Sequence, residues 1–342
     1  MGDKVSMAAS FAGPRDDLPP MLVNRTSLGA TGVELPGLCF GTSGLGSMPD
    51  TYGYSVDAER AHATIRRILE SDFPFIDSSR NYAEGRSEER VGEVIRELGG
   101  LPAGALLSTK LDREMKSGRF DGARARQSLE QSLEALGVSS VALLHLHDPE
   151  HALSIDEIEG PAGALPELFS MKEEGLCQAV GLAAGRIDVM MPLIENWDFD
   201  VVITHNRHTL VNRNADPLIE LSGRRGVAVI NAAPYASGVL AKGVDEHPRY
   251  VYQEPAAEQL EPVREIEALC SRYEVPMGAL ALQFALRDPR IATVLCGVTR
   301  PERIEQTLDW AATSIPDELW QAIETFEAST EDPEASRIHT PS

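Results

Sequence analysis

The chain has 342 residues, 42% of them apolar, which is enough to fill a large core. Its formal net charge of −22 argues against a nucleic-acid partner, because phosphates would be repelled by so negative a surface. It contains no run of about 18 consecutive apolar residues, so the sequence predicts neither a membrane span nor a membrane partner.

Both ends of the chain are polar. The first residues lack the apolar stretch of a signal peptide, and we interpret residues 1–20 as a disordered leader. Residues 331–342 have the composition of a disordered tail. The sequence therefore predicts a single domain over residues 21–330.

The four cysteines are far apart in the sequence, and no two of them form a Cys-x-x-Cys pair. This spacing favours buried, reduced thiols in a cytoplasmic protein over a disulfide framework or a metal site. The residues are Cys39, Cys177, Cys270 and Cys296.

The domain begins with a predicted hairpin, which is followed by a first strand at residues 38–41. Beyond it, short apolar runs alternate with segments of helical periodicity. Val91, Val94, Ile95 and Leu98 recur as one buried helix face requires. Leu129, Leu133 and Leu136 do the same, and Gly137 follows as a helix C-cap. The remaining apolar runs cover residues 73–77, 105–110, 141–147, 177–183, 199–205, 227–233 and 291–297.

These runs give eight strands separated mostly by helices. They are apolar rather than alternating, which is typical of parallel strands covered on both faces. We therefore predict an α/β fold, a (β/α)8 TIM barrel with an N-terminal hairpin and long loops at its C-terminal mouth, at about 148–161 and 238–262. An open doubly wound sheet is the alternative, but no Gly-x-Gly-x-x-Gly motif opens a first helix.

Polar residues interrupt three consecutive strands at their C-terminal ends. Asp77 ends the second strand, Lys110 the third and His147 the fourth, at spacings of about one strand–helix unit. Those ends open onto the active site of a barrel, so we expect the three side chains to converge. Tyr82 follows Asp77 on the next loop and can reach the same mouth.

Together these four residues make chemical sense as a proton-transfer group. A tyrosine phenol titrates near about 10, and a neighbouring ammonium is expected to lower that pKa. A carboxylate would hold the lysine, and an imidazole could donate to the substrate oxygen or relay a proton. Each residue also has a structural alternative: Asp77 as a helix N-cap, Lys110 on the surface, and His147 and Tyr82 as ordinary loop residues.

At these residues the sequence resembles the aldo-keto reductase family. The matching motifs, in chain order, are FIDSSRNYAEGRSEERVG (75–92), STK (108–110), SLEALGVSSVALLHLHDP (132–149), APYASGVL (233–240) and GVTRPERIEQTL (297–308). The resemblance implies a barrel enzyme with Asp77, Tyr82, Lys110 and His147 as its catalytic tetrad and Tyr82 as general acid/base. Within the family the chain is most similar to the branch of D-threo-aldose 1-dehydrogenase, L-fucose dehydrogenase and pyridoxal 4-dehydrogenase.

The resemblance also implies a nicotinamide cofactor, NAD or NADP. Ala183 and Ala184 stand where many members have Ser-Asn, and Ala232 stands where a tyrosine is often found. Cys296 occupies the position of a lysine common in NADP-specific members, which favours NAD. The implied cofactor-binding residues are Gly41, Thr42, His205, Asn206, Pro234, Tyr235, Ser237, Gly238, Leu240, Gly297, Val298, Thr299 and Arg303.

The implied reaction transfers hydride between the nicotinamide and either a sugar lactol, giving a lactone, or a small aldehyde. Two alternatives remain open at this stage. His145 and His147 lie on one strand face, as metal ligands do in barrel hydrolases, although we predict no metal site here. A regulatory subunit that binds the cofactor without turnover is the second alternative.

Overall fold

A computed structural model describes residues 18–247 and 249–335. Most of the predicted leader and tail, residues 1–17 and 336–342, lies outside the described residues. The parts of both segments that are described lie against the domain: Pro20 begins a short helix, and Glu334 is buried. The described structure therefore includes three residues of the predicted leader, 18–20, and five of the predicted tail, 331–335.

Eight parallel strands close into a barrel, as predicted, and an open sheet is excluded. An antiparallel pair precedes the barrel, confirming the predicted hairpin. The strands of the hairpin are β1 (Thr26–Ser27) and β2 (Glu34–Leu35). Those of the barrel are β3 (Leu38–Gly41), β4 (Phe75–Asp77), β5 (Leu106–Leu111), β6 (Val141–His147), β7 (Cys177–Ala184), β8 (Val201–His205), β9 (Ala228–Ala232) and β10 (Thr293–Gly297), with β10 closing on β3.

Helices cover the outside of the barrel. Their bounds are α1 (Pro20–Val23), α2 (Pro49–Tyr52), α3 (Ala58–Leu69), α4 (Arg86–Glu97), α5 (Gly122–Leu136), α6 (Ile155–Glu159), α7 (Ala164–Glu173), α8 (Ile187–Asn196), α9 (Asp216–Arg225), α10 (Val239–Lys242), α11 (Ala257–Arg272), α12 (Met277–Arg287), α13 (Glu302–Ala312) and α14 (Asp317–Glu324). Within the described ranges, no helix has the length and apolar character needed to cross a membrane.

The helical periodicity of the sequence correctly predicts which faces of the helices are buried. Val91, Val94 and Ile95 of α4 are buried against the strands, while Leu98 lies just past the end of the helix. Gly137 caps α5 with a φ of 70°, a left-handed conformation that glycine adopts without steric cost. The cysteines are buried free thiols, as predicted.

The apolar core has an inner and an outer layer, because strand side chains alternate between the two faces. On β6, Leu144 and Leu146 point outward to the helices, while Leu143 points into the barrel. His145 and His147 share the inward face with Leu143. The same alternation places Asp77 and Lys110 on the inward side, at the end of the barrel where the long loops lie.

Candidate active site

Asp77 and Lys110 form a buried ion pair across the adjacent strands β4 and β5. The Lys110 Nζ donates to the Asp77 Oδ2 and to the Ser78 carbonyl oxygen, each at 2.6 Å. Ser108 donates to the other Asp77 oxygen at 2.9 Å. Asp77 therefore does not cap a helix, and Lys110, which is 2% exposed, does not lie on the surface.

Tyr82 lies over this pair on a turn at residues 82–85. Its ring centroid is 4.8 Å from the Lys110 Nζ and 5.9 Å from the His147 ring, which it meets edge-on. The turn is tight: Gly85 has a φ of 95°, and a Cβ there would meet the Arg80 guanidinium at 2.1 Å. The sequence thus needs a glycine at this point to bring Tyr82 into the mouth of the barrel.

The pKa of Tyr82 is raised, whereas the sequence predicted that the ammonium of Lys110 would lower it. Burial, followed by the negative charge of Asp77, raises this pKa well above the ordinary tyrosine value. Lys110 does not offset these effects, because its ammonium already donates to Asp77. In this structure the Tyr82 phenol is therefore held in its protonated form.

His147 has a carboxylate partner that the sequence reasoning missed. The Asp112 Oδ1 lies 2.6 Å from the His147 Nδ1, while Asp112 Oδ2 accepts from the Ser79 hydroxyl at 2.7 Å. Asp112 is one residue past the end of β5. Asp112 follows Lys110, the end of the predicted strand, by two residues, and this spacing was the available signal, because residues two apart on an extended chain face the same side.

A second buried carboxylate supports the loop beneath Tyr82. Glu88 of α4 is fully buried, accepts a hydrogen bond from Thr109 of β5, and lies 3.7 Å from the Arg80 guanidinium. Burial raises the pKa of Glu88 to about 7. The loop between β4 and α4 is thus anchored to β5 by a group that titrates near neutrality.

The tetrad residues lie in one cavity of about 1490 Å³ at the C-terminal mouth of the barrel. This volume exceeds the usual range for a single small ligand and leaves room for a large cofactor together with a substrate. Nine of the thirteen residues proposed for the cofactor line it. They are Gly41, His205, Tyr235, Ser237, Gly238, Gly297, Val298, Thr299 and Arg303.

The other four proposed cofactor residues do not reach the cavity wall. Thr42 is buried and donates to the Asp77 carbonyl oxygen at 3.1 Å. Leu240 packs in the apolar cluster beneath α10. Asn206 and Pro234 are buried behind the wall. Sequence order alone could not tell which side of each turn faces the cavity.

One end of the cavity carries concentrated positive charge, unlike the rest of this acidic chain. It is lined by Lys242, Arg300 and Arg303, with one carboxylate, Glu246, near them. Burial, and then repulsion from Arg303 and Arg300, lowers the pKa of Lys242; burial and Arg300 likewise lower the pKa of Arg303. Cations that repel one another beside an open cavity fit the phosphates of a dinucleotide.

The C-terminal segment also reaches the cavity. The Glu334 carboxylate lies 3.0 Å from the His205 Nε2 and 2.8 Å from the Arg207 guanidinium. Ala183 and Ala184 line the same region and offer no side-chain hydrogen bond. The polar side chains in this region come from His205, Arg207, Asp332 and Glu334, and the sequence reasoning missed Glu334.

His145 lies one pleat deeper than His147 on β6 and is fully buried. Burial, and then the Lys110 charge, lowers the pKa of His145, so its imidazole stays neutral. Across the described residues, no three His, Cys, Asp or Glu side chains come together as metal ligands would. The metal-dependent hydrolase therefore gains no support from this site.

Comparison with known proteins places these features in one family. The sequence profile of the Aldo/keto reductase family matches residues 37–328. The chain is 27% identical to pyridoxal 4-dehydrogenase of Microbacterium luteolum over 87% of its length and 96% of that protein. It is 26% identical to D-threo-aldose 1-dehydrogenase of a Pseudomonas species, over 86% of this chain and 94% of that one.

The fold agrees with solved structures. An aldo-keto reductase from Bacillus halodurans, in its holo form, superposes with a TM-score of 0.73 at 20% identity. The match covers 92% of this chain and 99% of that chain. At this level of identity the likeness speaks for the barrel architecture alone.

Proposed function

We propose a sugar lactol or a small aldehyde as the substrate of this chain, which belongs to the aldo/keto reductase family. The chain is accordingly a nicotinamide-dependent oxidoreductase. The proposed reaction in one direction oxidises the C1 hydroxyl of a cyclic aldose to a lactone; in the other it reduces an aldehyde. The names of the two relatives above, one acting on aldoses and one on pyridoxal, support this substrate class.

One observation carries the proposal: Tyr82 and His147 face the same cavity directly above the buried Asp77–Lys110 pair. We assign the four residues as the catalytic group. The nicotinamide, when bound, supplies or accepts hydride at the substrate carbon. What the chain itself must provide is a proton donor or acceptor at the substrate oxygen, and Tyr82 has the hydroxyl for it.

Each member of the group has a separate task in this proposal. Tyr82 exchanges the proton with the substrate oxygen as general acid/base. Lys110 keeps a positive charge beside the phenol ring, and Asp77 fixes the position of the ammonium. His147 faces the substrate from β6 and donates to, or accepts from, its oxygen. Burial of Asp77 and Lys110 excludes water from this pair and strengthens the interaction between them.

The cationic end of the cavity is the proposed place for the cofactor's phosphates, held by Lys242, Arg300 and Arg303. We propose NAD as the preferred form. Cys296 supplies no extra cation, because a thiol carries no positive charge, and it is fully buried with its Sγ 3.9 Å from the Tyr235 hydroxyl. The arginines then bind the diphosphate that NAD and NADP share.

The cofactor preference is tested by comparing kcat/KM for NAD and NADP in the wild type and in Arg303→Ala. If Arg303 serves the shared diphosphate, the variant weakens both cofactors by a similar factor and NAD stays ahead. A wild type that prefers NADP, with a preference that Arg303→Ala removes, would place the 2′-phosphate at Arg303 and overturn the NAD assignment.

The substrate class is tested by following the reduced-nicotinamide absorbance with purified protein and NAD or NADP. The panel contains L-fucose, D-arabinose, L-galactose and pyridoxal. Reduction of the cofactor by one aldose supports the lactol reaction. Inactivity with every sugar, together with consumption of NADPH by simple aldehydes, would favour the carbonyl reductase form. Inactivity in both assays would count against the proposed reaction itself.

A further inference from the structure

The Asp112 carboxylate is held from every side, so its orientation toward His147 is fixed. Its Oδ2 accepts from the Ser79 hydroxyl at 2.7 Å and from the Asn81 backbone N–H at 3.0 Å. Its own backbone N–H donates to Ser128 of α5 at 2.9 Å. Only Oδ1 is left for His147, and it lies 2.6 Å from Nδ1. Asp112 is 1% exposed, so water does not compete for this bond.

The same network keeps Asp112 charged. Burial raises its pKa, but the positive charge and hydrogen bond of His147, together with the Ser79 hydrogen bond, outweigh this effect, and the pKa is lowered overall. A carboxylate can only accept hydrogen bonds. The His147 nitrogen that faces it must therefore carry a hydrogen.

We propose that Asp112 is a positioning residue that fixes His147 in the tautomer with hydrogen on Nδ1, leaving Nε2 as a proton acceptor toward the substrate side. This inference rests on the proposed function, because it names the group that takes the proton when the enzyme runs as an alcohol dehydrogenase. It adds a fifth residue to the four that the sequence motifs identify.

Electrostatics around His147 decide when Nε2 is free to accept. The charged and titratable groups that face the ring are Asp112 and Lys110 from the β5 side, Tyr82 from the loop after β4, and His145 below on β6. Asp148 faces the other nitrogen, with its carboxylate 3.6 Å from Nε2, beyond hydrogen-bond distance. Burial lowers the pKa of His147, but Asp148 and Asp112 more than offset it, so this pKa is raised.

The proton balance is then complete without any further group. An alcohol that becomes a carbonyl loses a hydride from carbon, which would go to the oxidised nicotinamide of the proposed reaction, and a proton from oxygen. The Tyr82 hydroxyl takes the proton from the substrate oxygen as it passes its own proton on to the His147 Nε2, and His147 becomes an imidazolium stabilised by Asp112. In the reducing direction the same imidazolium returns the proton. This route suits a Tyr82 whose raised pKa keeps its phenol protonated.

The tautomer can be measured without any turnover, by nitrogen NMR of the protein with ¹⁵N-labelled histidine. The chain has eight histidines, and His147→Gln identifies the signal of His147. At high pH we expect the wild type and Asp148→Asn to show hydrogen on Nδ1. In Asp112→Asn the side-chain amide can donate to Nδ1, and the hydrogen moves to Nε2. A wild-type His147 with hydrogen on Nε2 would overturn the proposal.

Steady-state kinetics provide a second test of the role of Asp112. Asp112→Asn should reduce kcat for alcohol oxidation about 100-fold, in the range seen when the carboxylate behind a histidine is lost. The acid limb of its pH profile should move to lower pH, because one of the carboxylates that raise the His147 pKa is gone. Glu114→Gln removes an exposed carboxylate from the same loop, outside the cavity wall, so its kcat should stay within a few-fold of the wild type and its acid limb should not move.

The outcomes separate this inference from the proposed function. If the wild type turns over and Asp112→Asn matches it in both kcat and pH profile, the inference fails while the proposed function stands. Equal losses in Glu114→Gln and Asp112→Asn, with no shift of the acid limb, would show a merely structural role of the loop and also overturn it. A wild type that oxidises nothing would fail the proposed function, and the NMR result would still decide the tautomer.

Discussion

The Lys110 ammonium and the Asp77 carboxylate lie 2.6 Å apart at the ends of adjacent barrel strands, and both side chains are almost completely buried. A buried pair of this kind is costly to break from one side only, because the remaining charge has no water to solvate it. The pair therefore stabilises the mouth of the barrel and also places a positive charge 4.8 Å from the centroid of the Tyr82 ring.

Removal of either partner should destabilise the fold strongly. We expect Lys110→Met and Asp77→Asn each to lower the free energy of unfolding by about 3–5 kcal/mol, because a single buried charge is left unpaired. The double variant should recover much of that loss and still lack turnover, since the charge beside Tyr82 is gone. Urea unfolding of the three variants measures this. A double variant as unstable as the sum of the two singles would show that the pair does not act as a unit.

Glu88 should make stability fall as the pH rises toward neutrality. Its pKa is raised by burial to about 7, so the folded protein keeps a proton that the unfolded chain releases from about pH 4.5 upward. The stabilisation is complete below the unfolded pKa and is lost as the pH passes through about 7. Glu88→Gln keeps the shape and removes the titration.

We expect Glu88→Gln to be more stable than the wild type at pH 8 by on the order of 1–3 kcal/mol, and to gain little at pH 4.5. Thermal unfolding at the two pH values provides the comparison. The same difference between the two proteins at both pH values would mean that Glu88 is already ionised in the folded protein at low pH.

Two helical glycines should respond in opposite ways to alanine. A Cβ on Gly92 of α4 would lie 1.9 Å from the carbonyl oxygen of Ala135 in α5, so Gly92→Ala must push the two helices apart. Gly223 of α9 is exposed, and a Cβ there meets nothing within 4 Å. We expect Gly92→Ala to cost at least about 1–3 kcal/mol, as overpacking does, and Gly223→Ala to stabilise by about 0.5–1 kcal/mol. Chemical unfolding of both variants checks the signs, and a neutral Gly92→Ala would show that α4 and α5 adapt freely.

Much of the fold could be predicted because parallel barrel strands are buried on both faces and therefore appear as apolar runs. Strand β3, at residues 38–41, and strand β6, at residues 141–147, match their predictions to the residue. Strand β4 is shorter than its run, since Phe73 and Pro74 precede the pairing with β5. The loop predicted over 238–262 contains helix α10 and ends where α11 begins at Ala257.

The site could be predicted only where strand order determines position. Asp77, Lys110 and His147 converge because the C-terminal ends of consecutive strands must meet, and no other information is needed. The pKa of Tyr82 could not be predicted, because its sign depends on whether Lys110 donates to Asp77 or to the phenol. The role of Glu334 was also hidden, since that residue comes from the far end of the chain and reaches Arg207 only in the folded protein.

The most direct test of the account is the rate of cofactor reduction by Tyr82→Phe, using the best substrate of the wild type. Removal of one hydroxyl should lower kcat about 1000-fold, because the substrate oxygen then has no proton partner above Lys110. Cofactor affinity, measured by fluorescence titration, should stay within a few-fold, since the cationic end of the cavity is untouched. Retained turnover in Tyr82→Phe, with the cofactor bound as in the wild type, would contradict the assignment of Tyr82 and the catalytic group built around it.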